Sequence, residues 1–269
     1  MNEFEVYEIC PNVYSILDAG SCSFYVVEGE NLAAVIDTGI TAGEKIIPLI
    51  RTITEKPLVL ALTHAHPDHM YHADEFDVVY MCHEELKLPQ ELLDHFCAGK
   101  QIDLKRTIDI RTDSVIDLGG KQLVVCQMAG HTPGSVVFWD RQDDLLFTGD
   151  AIGSGYGVWM QVMGALPIDQ YYENLKFLLK WLVDRGGRMK FFGGHNNQQN
   201  LSRRVPVYNP LNLGLLCDLI DLTDGLIKGT IAGHPSDAKS FDREKTYYAG
   251  FGRAEIEYRW SNIHSTEKQ

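Results

Sequence analysis

The chain has little that would tie it to a nucleic acid, a membrane or an oxidising compartment. Its 269 residues hold 24 Lys and Arg against 37 Asp and Glu, a formal net charge of −13. Arg203-Arg204 is the only adjacent arginine pair. Nucleic-acid binding leans on clustered basic side chains that neutralise phosphates, so no such partner is expected. No apolar run approaches membrane-spanning length, and the start, Met1-Asn2-Glu3-Phe4-Glu5, lacks the basic and apolar stretches of a signal peptide. The six cysteines (Cys10, Cys22, Cys82, Cys97, Cys126 and Cys217) are scattered, with no C-x-x-C spacing. Cys126 and Cys217 lie in apolar stretches and read as buried thiols. These absences lead to the expectation of a soluble, reduced, cytoplasmic protein. A hydrophobic content of 45% over this length can bury a large core, and a single domain over 1–269 is expected because the motifs below run across most of the chain.

Histidine is also sparse, 10 residues in all, yet three of them fall in one short segment, Thr63-His64-Ala65-His66-Pro67-Asp68-His69. The preceding run, Pro57-Leu58-Val59-Leu60-Ala61-Leu62, is apolar without alternation, as a strand buried on both faces would be. Side chains two apart on an extended segment point the same way, so His64 and His66 project together from the strand end. Pro67 then forces a turn that carries Asp68 and His69 to a neighbouring position. One segment thus offers two nitrogens to one metal, and a carboxylate and a nitrogen to another. Further candidates stand where other short apolar runs end: His131 after Leu123-Val124-Val125-Cys126, Asp150 after Leu145-Leu146-Phe147-Thr148-Gly149, and His195 after Phe191-Phe192-Gly193-Gly194. Open sheets place their ligands at such strand ends.

With Asp37 in Val35-Ile36-Asp37-Thr38-Gly39, these residues give the chain a resemblance to the metallo-β-lactamase-fold hydrolase superfamily, in the family's order from 37 to 195. The tail around Ala249-Gly250-Phe251-Gly252 and Ile256-Glu257-Tyr258 resembles its closing strands. The resemblance implies a four-layer αββα sandwich of the α/β class, with the metal site at one edge between the sheets. It also implies that His64, His66 and His131 hold a first metal, that Asp68, His69 and His195 hold a second, and that Asp150 bridges them. Asp37 is carried over as a structural neighbour of the site. One departure stands out: Met70 is followed by Tyr71 and His72 where many members carry Gly-Gly. His72 then reads either as a group reaching the site or as an exposed helical histidine.

The remaining pattern fits the same layers. Ser23–Glu28 and Leu32–Asp37 flank the turn Gly29-Glu30-Asn31 as a hairpin. Helices are predicted over Ala42–Thr54, His83–Phe96, Ile168–Val183 (with Tyr172, Leu175, Leu178, Leu179 and Leu182 on its apolar face) and Leu213–Ile227. A strand is predicted over Asp77–Cys82 and a hairpin over Thr246–Trp260.

Two metals about 3.5–4 Å apart can share a water and lower its pKa to roughly 7, which points to a dinuclear hydrolase that uses a metal-bridging hydroxide on a small ester, thioester or lactone. Asp150 would fix the metal separation, and a second oxygen of Asp68 could orient the nucleophile or pass a proton to the leaving group. Mixed His and Asp ligands suit two zinc ions first, with iron or manganese as alternatives. Tyr156 and Trp159, in the glycine-rich segment Gly153–Met160 after Asp150, are candidates for an apolar substrate wall or for core packing. A β-lactamase of the best-known type would carry Cys at Asp150, and a tRNA-processing nuclease would need a basic surface. A phosphodiesterase of the same fold and a mononuclear-iron persulfide dioxygenase remain as alternatives. A non-catalytic, metal-stabilised protein would be expected to have a broken ligand set, and this one is complete.

Overall fold

The computed structural model describes residues 4–265 apart from 20–21, 42, 44, 98–102, 154–156, 196–210 and 241. Seven strands form the first sheet in sequence order: β1 (Phe4–Cys10), β2 (Val13–Asp18), β3 (Ser23–Glu28), β4 (Ala33–Ile36), β5 (Leu58–Ala61), β6 (Val79–Met81) and β7 (Ile108–Asp109). The first four pair antiparallel and β4 to β7 run parallel. The second sheet takes β8 (Val115–Asp117), β9 (Gln122–Gln127), β10 (Val136–Asp140) and β11 (Leu145–Gly149). After β12 (Val158–Trp159), strand β13 (Lys190–Gly193) joins it alongside β11, giving the order β13-β11-β10-β9-β8. A smaller third sheet pairs β12 with the closing strands β14 (His234–Pro235), β15 (Thr246–Phe251) and β16 (Ala254–Arg259), in the order β12-β16-β15-β14.

Strand periodicity sorts the apolar side chains into layers. On β3, Tyr25 and Val27 face the second sheet while Phe24 and Val26 face outward; on β10, Val136 and Phe138 face the first sheet while Val137 and Trp139 turn away. The middle core therefore lies between the sheets. A second core packs the first sheet under α1 (Ile47–Ile50), α2 (Pro67–Met70) and α3 (Gln90–Cys97). A third packs the second sheet and β15–β16 against α4 (Ile168–Asp184) and α5 (Leu213–Lys228). This is the αββα sandwich, and the run from Pro57 is a central parallel strand covered on both faces, as expected.

Several elements differ from the sequence reading. The helix expected over Ala42–Thr54 is the single turn α1, because Pro48 lacks an N–H and is tolerated only in a first turn. His83–Phe96 divides at Leu88-Pro89 into a 3₁₀ turn, His83–Lys87, and α3. On α4 the buried tyrosine is Tyr171 rather than Tyr172, and Trp181 joins the apolar face. Cys126 is buried, but Cys217 is exposed on α5, whose inward face is carried by Leu215, Leu216, Leu219 and Leu222. No described helix is long and apolar enough to cross a membrane.

Candidate metal centre

Strand ends from both sheets converge on one edge. After β5 the chain turns at Pro67, the first residue of α2, with His66 still extended before it. His64 and His66 meet His131, which lies on the loop between β9 and β10; the ligand atoms of these three lie within 4.8 Å of one another. His66 Nδ1 and His131 Nε2 are 2.8 Å apart. Asp150 follows β11 and reaches in several directions. Its carboxylate oxygens lie 3.8 Å from His131 Nε2, 3.6 Å from His69 Nε2 and 3.3 Å from His195 Nε2. Asp68 Oδ2 is 3.5 Å from His195 Nε2 and 3.7 Å from His69 Nε2. The structure thus brings together all seven residues expected to carry metal chemistry: His64, His66, Asp68, His69, His131, Asp150 and His195.

The outer ring nitrogens are held from behind. His69 Nδ1 donates to Asp37 Oδ2 at 2.9 Å, His131 Nδ1 donates to the Trp159 carbonyl at 2.8 Å, and His64 Nδ1 lies 3.1 Å from Thr63 Oγ1. Such partners fix the tautomer and the ring angle of a metal ligand. They leave His64 Nε2 and His69 Nε2 buried and without a hydrogen-bond partner among the described residues. An orphaned buried nitrogen is costly, and metal ions held at this edge would satisfy them. The donor set therefore fits one or more metal ions held by imidazole and carboxylate.

Electrostatics divides the histidines in two. Burial, reinforced by neighbouring rings, holds His64 and His66 well below the usual imidazole range, and burial also lowers His131. These rings stay neutral, the form that ligates. Burial also works against charge on His69 and His195. For His69 the carboxylates of Asp68, Asp150 and Asp37 outweigh it, and for His195 that of Asp150 does; both rings are raised well above the usual range. Asp150 is buried too, yet His195 and His69 pull it well below the ordinary carboxylate range.

Close approach of backbone makes the edge possible. A Cβ on Gly194 would stand 2.5 Å from His69 Cε1 and 2.6 Å from Asp150 Oδ1, so only glycine fits. Asp37 has a left-handed backbone, φ 61°, which turns its carboxylate to accept from the Thr63 N–H and hydroxyl as well as from His69.

Two residues at the site had no signal in the sequence. Glu85, fully buried in the 3₁₀ turn, accepts from Thr132 Oγ1 at 2.5 Å, Gly134 N at 2.6 Å and Ala65 N at 3.1 Å. It thereby ties the His64–His66 segment to the His131 loop. Burial raises its carboxyl to about 7 despite those three donors. The other is Cys22, on the short link between β2 and β3. Burial pushes its thiol up to about 12, against a hydrogen bond with His195.

His72 matches neither expectation. It is buried, with Nδ1 2.8 Å from Glu75 Oε1 and Nε2 3.0 Å from the Thr41 carbonyl, so it braces the loop before α1 and does not reach the metal edge. Tyr71 packs edge-on against its ring. Trp159 is 50% exposed, which rules out the core reading for its ring, while Tyr156 lies outside the described residues.

This fold, with a histidine and aspartate centre at one edge of the sandwich, defines a class of metal-dependent hydrolases. The chain belongs to the metallo-beta-lactamase superfamily, whose profile matches residues 17–195. It is 31% identical over 209 residues to a probable metallo-hydrolase of Streptococcus pyogenes, covering 70% of this chain and 85% of that one. It is also 28% identical over 211 residues to the acyl-coenzyme A thioesterase MBLAC2 of Homo sapiens, covering 65% and 73% respectively. Among solved structures, a metallo-beta-lactamase from Pontibacter korlensis shares the fold at a TM-score of 0.58 with 20% identity, covering 81% of this chain and 99% of that one.

Proposed function

We propose that this hydrolase is a dinuclear, zinc-dependent enzyme acting on a small-molecule thioester, with esters and lactones as neighbouring substrates. The observation that carries the reading is the convergence of His64, His66 and His131 beside Asp68, His69 and His195, with Asp150 in reach of both groups. The 28% identity to a named acyl-coenzyme A thioesterase supports thioesters over the other acyl compounds. Bound metal ions supply Lewis acidity that polarises the carbonyl and acidifies water near neutral pH.

The chain's own residues do the rest. His64, His66 and His131 present neutral nitrogens, and Asp150 sets the distance between the two ligand groups. Asp68, with its side chain 29% exposed, stands at the solvent side of the edge, where its carboxylate can take up a proton and return it to the leaving group. Trp159 on β12 holds His131 through its main-chain carbonyl, and its half-exposed ring is the apolar group assigned in this reading to an acyl chain.

The test is hydrolysis of acyl-coenzyme A substrates followed by thiol release, run beside ester, lactone and phosphodiester panels with metal analysis of the same sample. Thiol release that is abolished by chelation and restored by zinc is expected. Exclusive phosphodiester turnover would replace the reading. So would a single iron with oxygen consumption on a persulfide.

A further inference from the structure

The link between β2 and β3 brings a sulfur to the metal edge. Asp18 Oδ1 accepts from the Cys22 N–H at 2.8 Å, and Ser23 N donates to the Gly194 carbonyl at 2.8 Å. Cys22 thereby forms an isolated antiparallel bridge with His195. Its side chain is buried, with Sγ 4.0 Å from Asp68 Oδ2. That same oxygen lies 3.5 Å from His195 Nε2 and 3.7 Å from His69 Nε2, the buried nitrogen without a hydrogen-bond partner among the described residues. Asp68 Oδ2 is therefore the hub of a set in which Cys22 Sγ, Asp68 and His195 offer ligand atoms within 4.8 Å of one another. Sulfur and oxygen on one zinc ion stand about 3.0–3.5 Å apart for angles of roughly 90–110° between them, given Zn–S and Zn–O bonds of about 2.3 and 2.0 Å. The observed spacing needs little adjustment to meet that.

We propose that Cys22 is a thiolate ligand of the second metal position, adding one sulfur to Asp68, His69 and His195. This rests on the dinuclear reading above and goes beyond the ligand set implied by the family resemblance. On binding, the thiol proton leaves to solvent and a sulfur lone pair forms the bond to the metal; no electron is transferred. A soft ligand biases this position toward zinc or cobalt and away from magnesium or manganese. The first position, with nitrogens from His64, His66 and His131, a share of the Asp150 carboxylate and no sulfur, lacks that bias.

Titration of chelator-treated protein with Co²⁺ tests this. The visible d–d bands count the ions bound, and a near-ultraviolet sulfur-to-cobalt band reports a thiolate ligand. The wild type should take two equivalents, with the sulfur band growing alongside one of them. Cys22→Ser should lose that band and weaken the second equivalent about tenfold or more, with the first unchanged. Two equivalents without a sulfur band, or a band that survives in Cys22→Ser, would overturn the thiolate and leave the dinuclear reading intact. A single equivalent without the band would overturn both. X-ray absorption on the two-zinc wild type gives an answer independent of any variant: a sulfur scatterer supports the ligand, and a purely nitrogen and oxygen shell rejects it.

Discussion

Asp37 Oδ2 accepts the Nδ1 proton of His69 at 2.9 Å, and both side chains are buried. The contact aims His69 Nε2 at Asp68 and Asp150 and biases the ring toward carrying its proton on the far side. Asp37→Asn isolates this effect, since asparagine tolerates the φ of 61° at that position. The amide leaves one buried donor among His69 and Thr63 without an acceptor. Binding of the second metal should weaken about 10- to 100-fold, read by competition with a chelator, and stability should fall by about 1–3 kcal/mol. Unchanged metal affinity would show that His69 does not need this brace.

Asp150→Ala removes the carboxylate that lies near His69, His131 and His195 together. The metal-to-protein ratio should fall from two toward one, or turnover should drop by at least about 100-fold, with the circular dichroism of the fold retained. Normal hydrolysis and full metal content in the variant would reject a bridging role.

Glu85 gives a pH signature. Its folded pKa, about 7, lies above the ordinary 4.5, so the folded chain keeps a proton over a range where the unfolded chain has lost it. The resulting stabilisation is complete below about 4.5 and disappears as pH rises through 7. Glu85→Gln has no proton to lose. The stability of wild type minus that of Glu85→Gln, from urea unfolding at matched metal content, should therefore fall by up to about 3 kcal/mol across that window. A flat difference would show that the carboxyl is ionised throughout.

Trp159→Ala tests the substrate wall. The ring is half exposed, and the hydrogen bond to His131 comes from the main-chain carbonyl, so metal content and melting temperature should hold. Because burying a large apolar side chain yields about 1.5–3 kcal/mol, kcat/KM for long acyl substrates should fall about 10- to 100-fold, with short ones little changed. A uniform loss across chain lengths would remove Trp159 from the acyl site.

Much of the centre was legible because metal chemistry narrows the choice of side chains. His64, His66, Asp68 and His69 betray themselves by spacing, and His131, Asp150 and His195 by following apolar runs that could only be buried strands. Strands β3 to β5 were readable for the same reason, and α4 by its period. Cys22 and Glu85 could not be found this way. Neither sits at a telling spacing, and each acquires its role only when distant segments close around it: Cys22 through its bridge to His195, Glu85 through Thr132, Gly134 and Ala65. His72 was misread because its partners, Glu75 and Thr41, are set by the folding of the loop before α1. The shortness of α1 was in principle visible at Pro48.

The candidate ligands hang from different sheets: His64, His66, Asp68 and His69 follow β5 of the first, while His131, Asp150 and His195 leave β9, β11 and β13 of the second. Neither sheet carries a whole set, so an ion at this edge acts as a rivet through the sandwich. It cannot be captured firmly until the sheets have docked, and they cannot part without letting it go. The rate at which metal escapes into a chelator would then be a clock for the opening of the two halves, timing a motion that the resting structure does not display.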